Sequence, residues 1–295
     1  MFLTVFTPTY NRADLLTNGY NALKKQTNKN FIWLIIDDGS TDNTREVVAE
    51  WMKNETSFEI RYVYKENGGL HTGYNKAIEL LDTELAVCID SDDKMTCDAV
   101  EKIYNLWHCF GDDSVAGIVA LDIYESGKIV GERLPDQKKI NLIDLQVGKY
   151  KIKNGDRKIV VRCDLYKMVA PQKTYAGEKN FNPHYMHLQI SKTYDFLVMN
   201  EPLCIVEYQK DGMTNNIYKQ YYNSPNSFAE LRKLMISFPQ ASVKYKLRQY
   251  IHLVSSCFIS RNFIHIKDVF NSFYLFVAFP LGYLLSLYVR YKAKK

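Results

Sequence analysis

Asp90, Ser91, Asp92 and Asp93 follow the apolar run at residues 85–89, placing three carboxylates in four positions. Carboxylates this close repel one another, so the pattern calls for a compensating cation. Mg²⁺ or Mn²⁺ is commonly held by one or two carboxylates together with phosphate oxygens and water. A diphosphate, itself anionic, approaches such acids only through that ion, so the chemistry suggested is the handling of a nucleotide-diphosphate compound. On an extended strand end, Asp90 and Asp92 would project to one side. Asp93 is then left to brace the turn or to cap a helix starting near Thr96. The plain alternative is an acidic loop with a helix cap.

Apolar runs at 2–6, 31–36, 59–63, 85–89 and 115–121 alternate with segments of helical spacing. Those segments carry Leu15, Tyr20 and Leu23; Val47, Val48 and Trp51; Ala77, Ile78 and Leu81; and Val100, Ile103, Leu106 and Trp107. The alternation predicts an α/β fold of βαβ units with a mostly parallel central sheet. Ligands in such sheets bind beyond the carboxyl ends of the strands. The segments that fall there are "TPTYNR", "DDGSTDNT", "KENGGLHTGYN" and "DSDDKMT". In the third, Gly68 and Gly69 let backbone approach a ligand, and the helix that follows offers its first N–H groups to an anion. His71 and Asn75, one turn apart, share a helix face, so a diphosphate contact by His71 stands against a surface histidine. Asp37 and Asp42 read as a strand-to-helix turn and a cap.

Composition narrows the setting. The chain has 295 residues, 46% hydrophobic and 24% charged, enough for one large core plus an appendage. Its six cysteines form no Cys-x-x-Cys pair, which fits a reducing cytosol. The first residues lack the basic and apolar regions of a signal peptide, so a cytoplasmic location is expected. Net charge is +5, but from Lys219 onward twelve Lys and Arg face only Glu230 and Asp268, leaving residues 1–218 about −5. No Gly-x-Gly-x-x-Gly follows the first strand, against a Rossmann oxidoreductase. A haloacid-dehalogenase phosphotransferase would carry Asp-x-Asp at the first strand, which here ends in Thr7-Pro8-Thr9. No RNA-reading motif is present and the basic residues lie with the apolar tail, so no nucleic-acid partner is expected.

"TPTYNR", "IIDDGSTDNT", "ENGG" followed by "YNKAI", and "IDSDD", in that order, resemble the signature of glycosyltransferase family 2 over residues 1 to about 125. The resemblance implies inverting transfer from a nucleotide-sugar on a GT-A fold. It implies that Pro8 and Tyr10 frame the base, with packing over the sheet edge as the alternative for Tyr10. Asp38 would accept a hydrogen bond from a uracil-type ring, which favours a UDP-hexose or UDP-N-acetylhexosamine donor. Gly69, His71 and Asn75 would line the donor, Asp90 would serve its ribose or sugar, and Asp92 would be the ligand to Mn²⁺ or Mg²⁺. An inverting transfer also needs a general base. The family places an acidic pair at the head of a helix in the second half, and here the sequence is Gly177-Glu178-Lys179. Glu178 is the expected base, Lys179 departs from the commonest pattern, and His184 and His187 are fallback bases. The segment 207–214 resembles the loop that closes over donor and acceptor. By analogy with the family, the acceptor is a polyprenyl-diphosphate-linked glycan of bacterial cell-surface polysaccharide synthesis. The alternatives are an inactive nucleotide-fold protein acting as a membrane-bound interaction module, or a phosphotransferase.

The expected division is a GT-A catalytic domain at 1–215, with a nucleotide-sugar half at 1–125 and an acceptor half at 126–215, and a basic helical region at 216–295. Residues 269–289 are uncharged and long enough for a bilayer core of about 30 Å. A single crossing would leave "RYKAKK" outside, against the preference of Lys and Arg for the cytoplasm. Pro280 and Gly282 can break the helix, and seven aromatic residues favour an interface. The expectation is therefore monotopic or re-entrant attachment to the cytoplasmic leaflet. A homo-oligomer burying the same helices is the competing reading.

Overall fold

The computed structural model describes residues 1–152, 155–207 and 216–295. The chain forms two compact units, Met1–Pro171 with Met186–Glu207, and Gln172–Tyr185 with Tyr208–Lys295. Relative to the expected division at residue 215, the first unit ends at Glu207. Residues Gln172–Tyr185, expected in the catalytic domain, cluster with the C-terminal helices instead.

In chain order the elements are β1 (Leu3–Thr9), α1 (Ala13–Lys24), β2 (Phe31–Asp37), α2 (Thr44–Asn54), β3 (Glu59–Tyr64), α3 (Leu70–Glu79), β4 (Leu85–Cys88), β5 (Lys94–Met95) and α4 (Ala99–Phe110). There follow β6 (Val115–Tyr124), β7 (Lys139–Ile140), α5 (Leu142–Gln146), β8 (Arg157–Arg162), α6 (Cys163–Val169), α7 (His184–Ile190) and β9 (Asp195–Val206). The remainder is helical: α8 (Ile217–Asn223), α9 (Pro225–Ile236), α10 (Val243–Ser260), α11 (Ile264–Lys267) and α12 (Ser272–Ala293).

The strands form one sheet in the order β3-β2-β1-β4-β8-β6-β9-β5, with β7 on β9. The first four strands are mutually parallel, as the βαβ rhythm predicts. Antiparallel pairs enter with β8, which lies between β4 and β6. Every residue of β1 and β2 is buried, because helices cover both faces of these central strands. On one face Tyr20, Trp33 and Trp51 stack within a core that extends to Val115 and Leu197. On the other, α3 comes so close to β1 that a Cβ at Gly73 would lie 3.1 Å from Pro8 Cβ. This contact seats the first turn of α3 beside the ends of β1 and β2.

The second unit is built on α9, α10 and α12. Ser242 and Asn271 cap α10 and α12 by accepting from Tyr245 N and Tyr274 N. The expectation that Pro280 and Gly282 can break this helix is corrected here, since α12 runs without interruption from Ser272 to Ala293 with Pro280 inside it. Gly282 does not end the helix. It is where α12 meets α10, and a Cβ there would stand 2.7 Å from Val254 Cβ and 2.8 Å from Ile251 O. Only the narrow stripe Leu275, Ala278, Gly282, Ser286 and Val289 is buried, while Phe273, Phe276, Leu284, Leu287 and Tyr291 are exposed. Gly282→Val is expected to cost about 1–3 kcal/mol. The readout is a lower denaturation midpoint with faster hydrogen exchange in α12 and none in β1–β4.

Candidate functional site

The loops after β1 and β2 are knitted together by short polar side chains. Asn11, at φ 51°, accepts from Thr41 N at 2.7 Å and Asp42 N at 3.3 Å, and its own N–H donates to Ser40 Oγ at 2.9 Å. The Asp42 carboxylate accepts from Ala13 N at 3.2 Å and Thr44 N at 3.1 Å, so one residue caps both α1 and α2. Burial pushes the Asp42 carboxyl up, but the bonds from Thr44 and Ala13 outweigh it and hold the group below its usual range. Asp37 is likewise internal to the turn, accepting from Ser40 N and Tyr62 Oη. The turn-and-cap reading of Asp37 and Asp42 describes both.

Asp38, expected at the base of the nucleotide, is 5% exposed and holds the next loop. Its Oδ1 accepts from Lys65 Nζ and Gly68 N, and its Oδ2 accepts from Gly69 N at 2.7 Å and Asn67 Nδ2 at 3.2 Å. Four donors use the lone-pair sites of a carboxylate, so a base N–H reaches Asp38 only by displacing Lys65 or Asn67. Gly69 caps α3 at φ 95°, a conformation glycine adopts without strain.

The acidic turn lies beyond β4. Asp90–Asp93 is not an extended strand end: β4 stops at Cys88 and Asp93 N donates to Asp90 O at 3.0 Å, closing a turn. The alternation argument for Asp90 and Asp92 therefore does not apply, and the charges are separated by their partners. Asp92 pairs with Arg12 Nη1 at 3.2 Å on the solvent side, and the same nitrogen donates to Ser91 Oγ. Asp93 turns inward to Lys158 Nζ at 3.2 Å, both side chains about a tenth exposed. Burial alone would lower the Lys158 ammonium, but Asp122, Asp93 and Asp90 hold it well above its ordinary value.

Asp90 is exposed to solvent although many protein atoms stand around its carboxyl. That crowding, then Asp93 and Asp92, push its carboxyl up to about 6 against the pull of Lys158. Behind the turn, burial pushes Asp122 up to about 7, opposed by Lys158, and Asp122 Oδ1 has no hydrogen-bond partner among the described residues.

The other expected residues divide. Pro8 is buried under α3, whereas Tyr10 is 48% exposed beside it. His71 is buried at 1% exposure in the first turn of α3, not the surface histidine of the alternative, and Asn75 is partly exposed one turn on. His187 is paired, its Nε2 2.9 Å from Tyr166 Oη, while His184 opens α7.

Glu178 does not head a helix; α7 starts at His184. It is 7% exposed, its Oε1 accepting from Asn226 N and Nδ2 and its Oε2 from Ser227 N and Oγ, at 2.6–2.8 Å. That is a remote cap on α9, and it leaves no unengaged oxygen to take a proton. The loop expectation for 207–214 lies, beyond Glu207, outside the described residues. Sequence reasoning missed Arg12, Lys65 and Lys158. The first two stand inside "TPTYNR" and "KENGG", where a cation beside acids was the available signal. Lys158 sits in an ordinary strand far along the chain and had none.

A parallel half-sheet, with polar loops at the carboxyl ends of its strands and an acidic turn after β4, is the arrangement of a GT-A-type domain. The sequence model for "Glycosyl transferase family 2" matches residues 4–168, and the chain belongs to this family. Among curated relatives, the putative teichuronic acid biosynthesis glycosyltransferase TuaG of Bacillus subtilis is 32% identical over 100 residues, 34% of this chain and 39% of that protein. Glycosyltransferase GlyG of Streptococcus pneumoniae is 31% identical over 35% of this chain and 34% of its own. The matched stretch thus spans well under half of these relatives. Among solved structures, S. aureus TarS 1-349 in complex with UDP-GlcNAc superposes with TM-score 0.60 at 18% identity, covering 89% of this chain and 73% of that one. Mannosyltransferase PcManGT from Pyrobaculum calidifontis, in complex with GDP-Man and Mn²⁺, gives 0.58 at 17% identity over 99% and 83%. These two likenesses establish the fold.

Among the described residues, no three His, Cys, Asp or Glu side chains converge as a metal cage. The donor set nevertheless fits an ion shared with phosphates, which needs only one or two carboxylates. Arg12 holds Asp92 by a single contact, with the two side chains 35% and 16% exposed, so solvent screens the pair in part. The guanidinium is the group a divalent cation would replace. The inner pair differs: Lys158→Met leaves Asp93 and Asp122 without their cation and is expected to cost about 3–5 kcal/mol in urea unfolding. Asp122 binds a proton in the folded chain between its unfolded value of 3.8 and about 7, so its ionisation penalises folding increasingly over that window and fully above it. Asp122→Asn is expected to stabilise by about 1–3 kcal/mol at pH 8 and by little at pH 4, measured as a pH series of denaturant midpoints.

Proposed function

We propose that this chain is a metal-dependent, inverting glycosyltransferase that moves a sugar from a nucleotide-sugar, in particular a UDP-hexose or UDP-N-acetylhexosamine, to a hydroxyl of a lipid-linked glycan. The observation that carries this reading is the acidic turn after β4, with Asp93 anchored inward and Asp90 and Asp92 left at the surface of the nucleotide-binding half. Asp92, with Asp90 beside it, would hold Mn²⁺ or Mg²⁺. The ion would neutralise the donor diphosphate and stabilise the charge that develops on the leaving nucleotide. The chain's own groups supply the rest. Pro8 and Tyr10 border the base, the first turn of α3 offers backbone N–H groups to an anion, and Arg12, released from Asp92, becomes a second cation for the diphosphate.

Support for a UDP-sugar comes from TarS, whose structure contains UDP-GlcNAc; the GDP-Man in PcManGT makes the base the first thing to test. For the acceptor, the naming of TuaG for teichuronic acid biosynthesis supports a surface glycan. A seat on the cytoplasmic face of the membrane is supported by α12, which is long and apolar enough to meet a bilayer and carries Arg290 and Lys292 in its last turn, with Lys294 and Lys295 just beyond it.

Glu178 is the general base that the family motif suggests, and to act it must release the cap on α9. Glu178→Gln separates the roles. Loss of the cap predicts a lower melting temperature in either case; a base in addition predicts transfer by the folded variant reduced about 10²–10⁴-fold, whereas a cap alone predicts near-native turnover once folded. For the site itself, UDP, GDP, CDP and TDP are compared by thermal shift with Mn²⁺ and with EDTA. UDP with Mn²⁺ is expected to stabilise, and Asp92→Ala to abolish both that shift and transfer. Near-normal, metal-requiring transfer by the variant would remove Asp92 from the site.

A further inference from the structure

The exposed side of α12 is ordered. Phe273, Phe276, Pro280, Leu284, Leu287 and Tyr291 recur three or four positions apart, so they line one face of the helix. All six are exposed, Phe276 at 85%. The buried stripe from Leu275 to Val289 keeps the same spacing on the opposite side, where Leu275, Ala278 and Gly282 pack with α10. At the head of α11, the exposed Phe263 ring stacks 6.5 Å from that of Phe279, and Ile264 beside it is 57% exposed. The apolar surface therefore continues past α12, and a surface of this extent marks a place of contact.

Two properties of this unit say what covers the surface. The first is charge. From Val243 to Lys295 there are nine Lys and Arg and one acid, Asp268, which Lys233 already pairs. A second copy of the same surface would bring its own cations and no further acid to meet them. An anionic lipid surface supplies both an apolar layer and the opposite charge. The second is the company α12 keeps. Tyr250 of α10 stacks on Tyr274 at 4.9 Å, Val254 meets Gly282, and Arg290 Nη2 donates to Phe258 O at 2.8 Å, so α10 lies along much of α12. α9 is tied to α10 in turn, with Arg232 donating to Gln249. If α12 crossed a bilayer, α10 and α9 would enter the hydrocarbon with it, taking Glu230, Arg232 and Lys233 to a depth where charge is strongly unfavourable. Lying in the plane of the surface, α12 gives lipid only its outer face and leaves both neighbours in water.

We propose that α12 lies flat on an anionic lipid surface, with the face from Phe273 to Tyr291 and the corner at Phe263 and Ile264 entering the acyl boundary while Lys292, Lys294 and Lys295 meet the headgroups. This rests on the membrane seat given above and adds to it the lipid class and the orientation. The test uses the full chain, sedimented with vesicles of phosphatidylcholine alone or with about one-third phosphatidylglycerol. Binding about tenfold tighter to the anionic vesicles is expected, and Lys292→Gln with Lys294→Gln and Lys295→Gln should remove the preference. Equal binding to both vesicles overturns the lipid class. Phe276→Ser with Leu284→Ser alters two exposed side chains, so binding should fall about tenfold or more at an unchanged denaturation midpoint; should that variant not fold, the lysine variant carries the test. Orientation is read from quenching by brominated lipids of tryptophans placed singly as Phe273→Trp, Leu284→Trp and Tyr291→Trp. Equal, shallow quenching at the three positions supports the flat helix. Deep quenching at 284 with shallow quenching at 273 and 291 means a crossing, which overturns the orientation and leaves the membrane seat standing. Failure to sediment with either vesicle removes the seat and the proposal together, and a dimer that Phe276→Ser with Leu284→Ser dissociates gives the face to a second copy instead.

Discussion

The candidate site depends on how three carboxylates in four residues are kept from repelling one another. The answer is a division of directions. Asp93 turns into the protein to a buried lysine, and Asp92 turns out to a loosely held arginine. The inner pair is nearly dry, so its Coulomb attraction is strong but its removal leaves an uncompensated charge. The outer pair is partly exposed and held by a single contact, so solvent screens it more than the inner one. One contact fixes the turn and the other keeps it exchangeable, which is the property a shared metal site requires.

Lys158 can reach Asp93 only because of the sheet order. Strand β8 runs antiparallel to β4, with Val87 opposite Val160, so extending that register by two residues sets Lys158 against Ile89, next to the turn. The antiparallel strand in the second half of the sheet thus does more than widen it, since it carries the counter-charge for acids contributed by the parallel half. Asp122 on β6 brings a second carboxylate near the same ammonium, and its carboxyl is raised chiefly by burial, which the attraction of Lys158 opposes.

Elsewhere polar groups do structural duty that their place in the motifs conceals. Asp42 caps two helices, Asp38 gathers the loop from Lys65 to Gly69, and Glu178 caps α9 from 48 residues away. In each case a carboxylate is spent on backbone N–H groups that have no other partner at a helix or loop start. Arg232 is the reverse case, a guanidinium whose hydrogen-bond partners among the described residues are neutral.

Much of this was legible in the sequence. The rhythm of apolar runs and helical spacings located β1 to β4 and the helices between them, because burial on both faces of a parallel sheet demands continuous hydrophobic strands. The rule that ligands gather at strand carboxyl ends picked out the loops that meet there, and the order of four short motifs pointed to the family. Periodicity also found α12, but not that Pro280 would be carried within an unbroken helix while Gly282 served as its contact with α10. That outcome depends on a neighbour's shape. The pairings of Asp38, Asp92, Asp93 and Glu178 were equally out of reach. Each joins residues 27 to 80 positions apart, and a hydrogen bond is decided by distances of a few tenths of an ångström that only the folded backbone defines. Local sequence could say which residues carry charge; the tertiary structure decided which of those charges are left for a ligand.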